Sequence, residues 1–214
     1  MFELASPKNF QKAADYLRAN DPTLAEVINK APLPAFVPHK KYYQELVESI
    51  ISQQLSVKAA ATILKRFKEL FSADFPAPED ILATDIEILR GVGLSRQKAS
   101  YIKDLAARVL DGSVQFSHLD FLSNQEVIGE LVQIKGVGIW TVHMFLLFCM
   151  GRLDVLPTGD LGIKNGIFKL YDLPVKPTPE EIEMVALDNN WHPFESVASW
   201  YVWHSLDNQP VLES

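Results

Sequence analysis

Asp160 and the turn Gly136-Val137-Gly138 are the two places where residue type and spacing suit chemistry. Asp160 stands in LPTGDLGIKNGIF, after a proline-containing approach and just ahead of a helical run, with Lys164 one turn further along. A carboxylate at a helix start meets unpaired N–H groups and the positive end of the macrodipole, so it is a ready anion at neutral pH. The same placement also describes an ordinary helix N-cap, for which Asp is a favoured residue. In LVQIKGVGIWT the two glycines flank one apolar residue, with Lys135 before them and Trp140 after. Glycines there permit positive φ and close backbone approach, and the first N–H groups of the next helix point outward. Such a turn binds a phosphate with Lys135 as a neighbouring cation, or it is a plain helix–helix turn with glycine at the C-cap.

Helices must position these residues. Helical apolar spacing recurs in PKNFQKAADYLRAN, TLAEVINKA, YYQELVESIISQQ, VKAAATILKRFKELF, RQKASYIKDLAARVL, EVIGELVQI, IWTVHMFLLFCM, GIKNGIFKLY, PEEIEMVALD and FESVASWYVWHSL, leaving little room for strands. The expected class is all-α. Proline-rich joints at Ala31 to His39, Phe75 to Glu79 and Leu173 to Pro179 mark turns between helices, none long enough to link independent domains. ILRGVGL at Ile88 to Leu94 echoes QIKGVGI at Gln133 to Ile139, which suggests two similar helical pairs.

With 214 residues, 48% hydrophobic and 22% charged, the chain can bury a real core as one large domain or two small lobes. No apolar run reaches the roughly 18 to 20 residues of a membrane span, and MFELASPKNF lacks the order of a signal peptide. An intracellular protein without a membrane partner is expected. The single cysteine, Cys149, excludes a disulfide framework and a cysteine-based metal cluster. A net charge of -7 argues against a partner held by bulk electrostatics, so any nucleic-acid site must be local. His143 and His204 lack a ligand constellation and read as structural or surface residues.

The ordered motifs I-K-G-V-G-x-W-T, L-P-x-x-D-x-G-I-K-x-G and W-x-P-x-x-S-x-A-x-W-x-x-W (Trp191 to Trp203) resemble the helix-hairpin-helix, Gly-Pro-Asp superfamily of DNA glycosylases. The branch they are most similar to is the alkyladenine one, of the 3-methyladenine DNA glycosylase II type. The resemblance runs from about Tyr42 to Trp203 and takes in IISQQLSVKAA and LRGVGLSRQKASYI. It implies two helical lobes around a cleft within one unit, 1–214: lobe one about 42–153, lobe two about 1–41 plus 154–214. It implies a monofunctional enzyme that flips alkylated purines out of duplex DNA and excises them by hydrolysis. Asp160 matches the catalytic carboxylate. Gln54 matches the wedge that fills the gap left by the flipped nucleotide, with Leu55 beside it; Gln53 and Gln54 otherwise read as an exposed helix end.

Trp140 stands where lyase members carry a nucleophilic lysine, and an aromatic there suits stacking on a cationic base. Trp203 and Tyr43 are expected to complete that pocket, whereas Trp191 and Trp200 fit a core. The resemblance also implies DNA contacts by Ser56, Lys135, Gly136, Val137, Gly138, Thr141 and Lys164. It implies backbone carbonyls of Val132, Ile134 and Gly136 around a structural Na+ or K+, with no cofactor required. The expected partner is double-stranded DNA with alkylated bases or abasic sites. The protein is expected to be a monomer, in the nucleus of a eukaryote or the cytoplasm of a bacterium.

Two positions depart from the pattern. Glu195 stands in the W-x-P motif near an expected phosphate surface, and Ser56 stands where some fungal relatives carry a histidine that reaches into the minor groove. These departures keep open a second class of function, a lesion-binding or abasic-site-binding protein of the same fold that excises poorly. A generic scaffold with no need of Asp160 is a third.

Overall fold

A computed structural model describes residues 3–206, and among them the regular elements are helical. In chain order they are α1 (Pro7–Asn20), α2 (Pro22–Ile28), α3 (Tyr42–Ser52), α4 (Val57–Lys68), α5 (Pro78–Ala83), α6 (Ile86–Gly91), α7 (Arg96–Leu110), α8 (Asn124–Leu131), α9 (Ile139–Met144), α10 (Leu161–Leu170), α11 (Pro179–Asp188) and α12 (Glu195–His204), with a 3₁₀ turn at Leu119–Phe121. A π-helical stretch, Phe145–Cys149, continues α9. No described helix is long and apolar enough to cross a membrane. The all-α expectation holds.

Local chemistry explains most of the boundaries. Ser6, Asp21, Ser56, Asp85, Ser95, Ser123, Asp160 and Thr178 each accept a backbone N–H from the first turn of the helix they precede. Ser123 with Glu126, and Thr178 with Glu181, form reciprocal capping boxes. The periodicity missed α5 and α6. Each has six residues, too few to show a helical period, and α5 begins inside a proline-rich joint because Pro78 occupies the first turn, where its missing N–H costs nothing.

The described residues divide into two compact units, 3–40 with 143–206, and 41–142. In the first, α12 is the central helix: every side chain from Ser196 to Trp203 is buried, and α1, α2 and α10 all contact it. Its core includes Phe10, Leu17, Phe36, Ile163, Trp191 and Tyr201. Asp21 is fully buried there, and its carboxylate accepts from the Leu24 N–H (2.9 Å), from Trp191 Nε1 (2.8 Å) and from the Tyr171 hydroxyl. Three donors are what allow a buried carboxylate to be tolerated. Trp191 is thus a core residue, and so is Trp200, which stacks on His204. In the second unit α7 contacts α3, α5 and α6, and α3 contacts α4, around buried Leu46, Ile50, Phe67, Ile81, Leu89 and Ile102.

The sequence placed the end of lobe one near residue 153, whereas the division lies between Val142 and His143, inside α9. Met144, Leu147 and Phe148 belong to the core of the first unit, so side-chain burial rather than the next loop sets the division.

Candidate functional site

In the first unit the geometry centres on Asp160. It is the N-cap of α10, with extended backbone, and its Oδ1 accepts the N–H of Ile163 at 2.9 Å. The same oxygen accepts the indole N–H of Trp203 at 2.8 Å. Capping and chemistry are therefore compatible: the helix end fixes the carboxylate, and Trp203 fixes its orientation. Trp203 was expected to line a base pocket. At 6% exposure, stacked on Phe148 with centroids 6.0 Å apart, it has its edge committed to the carboxylate and little face to offer a base.

The glycines of LGIKNG explain how the tryptophan reaches Asp160. A Cβ on Gly162 would lie 2.7 Å from Trp203 Cδ1 and 3.0 Å from Asp160 Oδ1, and one on Gly166 would lie 2.4 Å from Val202 Cγ1. Four residues apart, they share the helix face on which α10 contacts α12. Lys164, in the first turn of α10, is half-buried.

The second unit carries the glycine turn. Gly136 has φ of 82°, and a Cβ there would lie 2.0 Å from the Tyr101 ring, so this position requires glycine twice over. Gly138 differs: its φ is not in the left-handed region, and no atom lies within 4 Å of where its Cβ would sit. Val137 and Thr141, expected among the DNA contacts, are 4% and 6% exposed, and their side chains hold the turn and α9 from within. The Val137 N–H is already given to the Ile134 carbonyl at 3.0 Å. Trp140, in the first turn of α9, is 48% exposed.

Lys135 does not stand bare. Its backbone N–H donates to Asp104 Oδ2 (3.0 Å) and its Nζ lies 3.2 Å from Oδ1, while Arg108 Nε donates to Oδ2 (2.9 Å). Burial works to raise the Asp104 pKa, but the Lys135 N–H and the two cations outweigh it and hold the carboxyl below its ordinary value. Asp104 was missed by sequence reasoning. The only local signal was its i,i+4 spacing to Arg108.

The segment after α3 carries the expected wedge. Gln54 is exposed and has φ of 57°, and Leu55 beside it is 37% exposed. Gln53 Nε2 donates to the Gly136 carbonyl at 2.8 Å. Lys98, in the first turn of α7, donates to the carbonyls of Ile51 (2.8 Å) and Gln53 (2.5 Å). Ser56 is exposed, and its Oγ accepts the Ala59 N–H. Tyr43 packs edge-on to Phe75 with centroids 6.2 Å apart and lies near Phe116, an aromatic cluster within this unit. Its buried hydroxyl has no hydrogen-bond partner, and burial, with the Glu79 and Asp80 charges, pushes its pKa well above the ordinary phenol value.

Glu195 is not the surface charge expected of it. Its side chain is 14% exposed, in the first turn of α12, where an acid complements the dipole, and Oε1 lies 2.9 Å from His192 Nδ1. His143 is half-buried, and burial lowers its pKa, in keeping with a structural role.

Comparisons with known proteins place the chain in a family. The chain is 41% identical over 168 residues to DNA-3-methyladenine glycosylase 1 of Schizosaccharomyces pombe, covering 77% of this chain and 72% of that protein. A solved structure of the 3-methyladenine DNA glycosylase Mag1 of the same yeast, in complex with abasic DNA, superposes with a TM-score of 0.78 at 37% identity, over 90% of this chain and 95% of the other. The crystal structure of a DNA-3-methyladenine glycosidase from Bacillus halodurans gives a TM-score of 0.81 at 32% identity, over 96% and 92%. The family model of the HhH-GPD superfamily matches residues 47–190, a span that holds the glycine turn, Trp140, Asp104 and Asp160. The chain belongs to the HhH-GPD superfamily of base excision DNA repair proteins.

Proposed function

We propose that this protein is a monofunctional DNA glycosylase that excises alkylated purines of the 3-methyladenine type from duplex DNA. The observation that carries the reading is the Asp160 carboxylate, held through one oxygen by the Ile163 N–H and the Trp203 indole. An N-methylated purine is already a cation and leaves readily. As its bond to C1′ breaks, the electron pair returns to the purine, and positive charge grows on the deoxyribose. A fixed carboxylate stabilises that charge and orients a water, whose oxygen bonds to C1′ as its proton is lost, leaving an abasic site.

The remaining residues take roles toward the same substrate. Trp140 offers an exposed aromatic face to a flipped cationic base, and its position carries no amine for covalent catalysis. The turn around Gly138, with Lys135, takes a backbone phosphate, and Lys164 adds a cation. The carbonyls of Val132, Ile134 and Gly136 suit a Na+ or K+ beside that phosphate. Those of Ile134 and Gly136 each accept one hydrogen bond, which leaves a second lone pair on each. Gln54 fills the stack, with Leu55 beside it. The protein works as a monomer inside the cell, where the DNA is.

The test is release of free 3-methyladenine and 7-methylguanine from methylated duplex DNA, followed by chromatography. The wild type releases base and Asp160→Asn does not, while duplex binding stays within a few fold. No release from the wild type at stoichiometric enzyme overturns the reading. It would leave the second one, a protein that binds abasic or alkylated duplex without excision. Ser56 favours that alternative, since its short hydroxyl caps α4.

A further inference from the structure

We infer that Lys98 is a positioning residue for insertion into DNA: its ammonium holds the end of α3 so that Gln54 is presented in the left-handed conformation, and Gln53 ties that turn to the Gly136 hairpin. The inference rests on the wedge role proposed for Gln54. Three observations carry it. Lys98 Nζ donates to two carbonyls that close α3, Ile51 and Gln53, where a helix has unpaired acceptors and the negative end of its dipole. Lys98 sits in the first turn of α7, with its N–H given to the Ser95 cap, a position where a cation opposes its own helix's dipole. Its placement is thus explained by α3 and not by α7.

The third observation is the conformation it holds. Gln54 has φ of 57°, which a residue with a side chain adopts only where its surroundings impose it. The Gln53 carbonyl on one side is anchored by Lys98, and the Gln53 carboxamide is anchored on Gly136, 83 residues away in sequence. These anchors leave Gln54 exposed with its backbone already set. A preset turn lowers the ordering cost of insertion. The link to Gly136 joins that turn to the hairpin proposed to grip phosphate. Burial lowers the Lys98 pKa, and the two carbonyls it donates to work the other way, favouring the charged form.

Two measurements test this. In the free protein, Lys98→Met is expected to speed amide hydrogen exchange at residues 53–55 and shift the Gln53 side-chain amide resonances, whereas Lys98→Arg, which keeps a cationic donor, retains most of the wild-type pattern. This reads the loop without DNA or catalysis. In single turnover on methylated duplex, Lys98→Met is expected to slow base release about tenfold, as is Gln54→Ala, and the double variant to be no slower than Gln54→Ala alone. A merely structural role would give additive losses. Unchanged exchange at 53–55 in Lys98→Met, or additivity in the double variant, overturns the inference. If Gln54→Ala leaves release unchanged while the exchange result holds, the wedge reading fails and Lys98 remains the holder of the turn.

Discussion

The indole N–H of Trp203 donates to Oδ1 of Asp160, the oxygen that also caps α10. Two donors on one oxygen fix both torsions of a short side chain, so the carboxylate is oriented before any substrate arrives. Trp203→Phe keeps the bulk and removes the donor. It is expected to slow base release about ten- to a hundredfold with duplex affinity changed little. Gly162→Ala should act in the same direction, because its methyl would press on the indole at 2.7 Å. Single-turnover rates and binding isotherms measured side by side check this; equal losses in both would assign Trp203 to binding.

Trp140 stands at the position where the sequence resemblance implies a lysine in lyase members. Borohydride treatment with abasic duplex is therefore expected to trap no protein–DNA adduct, read on a denaturing gel. A trapped species would name another lysine, such as Lys135 or Lys164, as an amine nucleophile and end the monofunctional reading.

Gly136 and Gly138 separate stability from DNA contact. Gly136→Ala is expected to destabilise the fold, since the Tyr101 ring lies 2.0 Å from the added carbon and φ is 82°. Gly138→Leu should leave the melting temperature near wild type, because its φ is not left-handed and a Cβ there meets nothing within 4 Å. It should weaken binding to damaged and undamaged duplex alike, as expected for a contact that carries no base information. A loss confined to one lesion would refute the phosphate role.

Asp104 gives a pH test. Its folded pKa is depressed below the ordinary 3.8, so its contribution to stability is complete above the unfolded value and is lost as pH falls through the folded one. Asp104→Asn is expected to cost about 1 to 3 kcal/mol near neutrality, the scale of charge-assisted hydrogen bonds. That difference from wild type should shrink below about pH 4, as the wild-type carboxyl protonates. Urea unfolding at pH 7 and pH 3 checks it, and a gap that persists unchanged at pH 3 would remove the ion pairs as its cause.

What the sequence determined by itself is local: helices with capping residues at their starts, turns at glycine and proline, and a carboxylate ahead of α10; the reading of Trp140 came from the family resemblance. Helical period, caps and positive φ act over a few residues, so residue order is enough to read them. α1, α7 and α11 match their expected spans end to end. The tertiary structure decided which groups hold the candidate residues in place within each unit. Trp203 reaches Asp160 across 43 residues, Asp104 takes the Lys135 N–H across 31, and Gln53 reaches the Gly136 carbonyl across 83. It also turned Glu195 inward and buried Val137 and Thr141, because whether a side chain faces solvent or core depends on elements distant in sequence that pack over it.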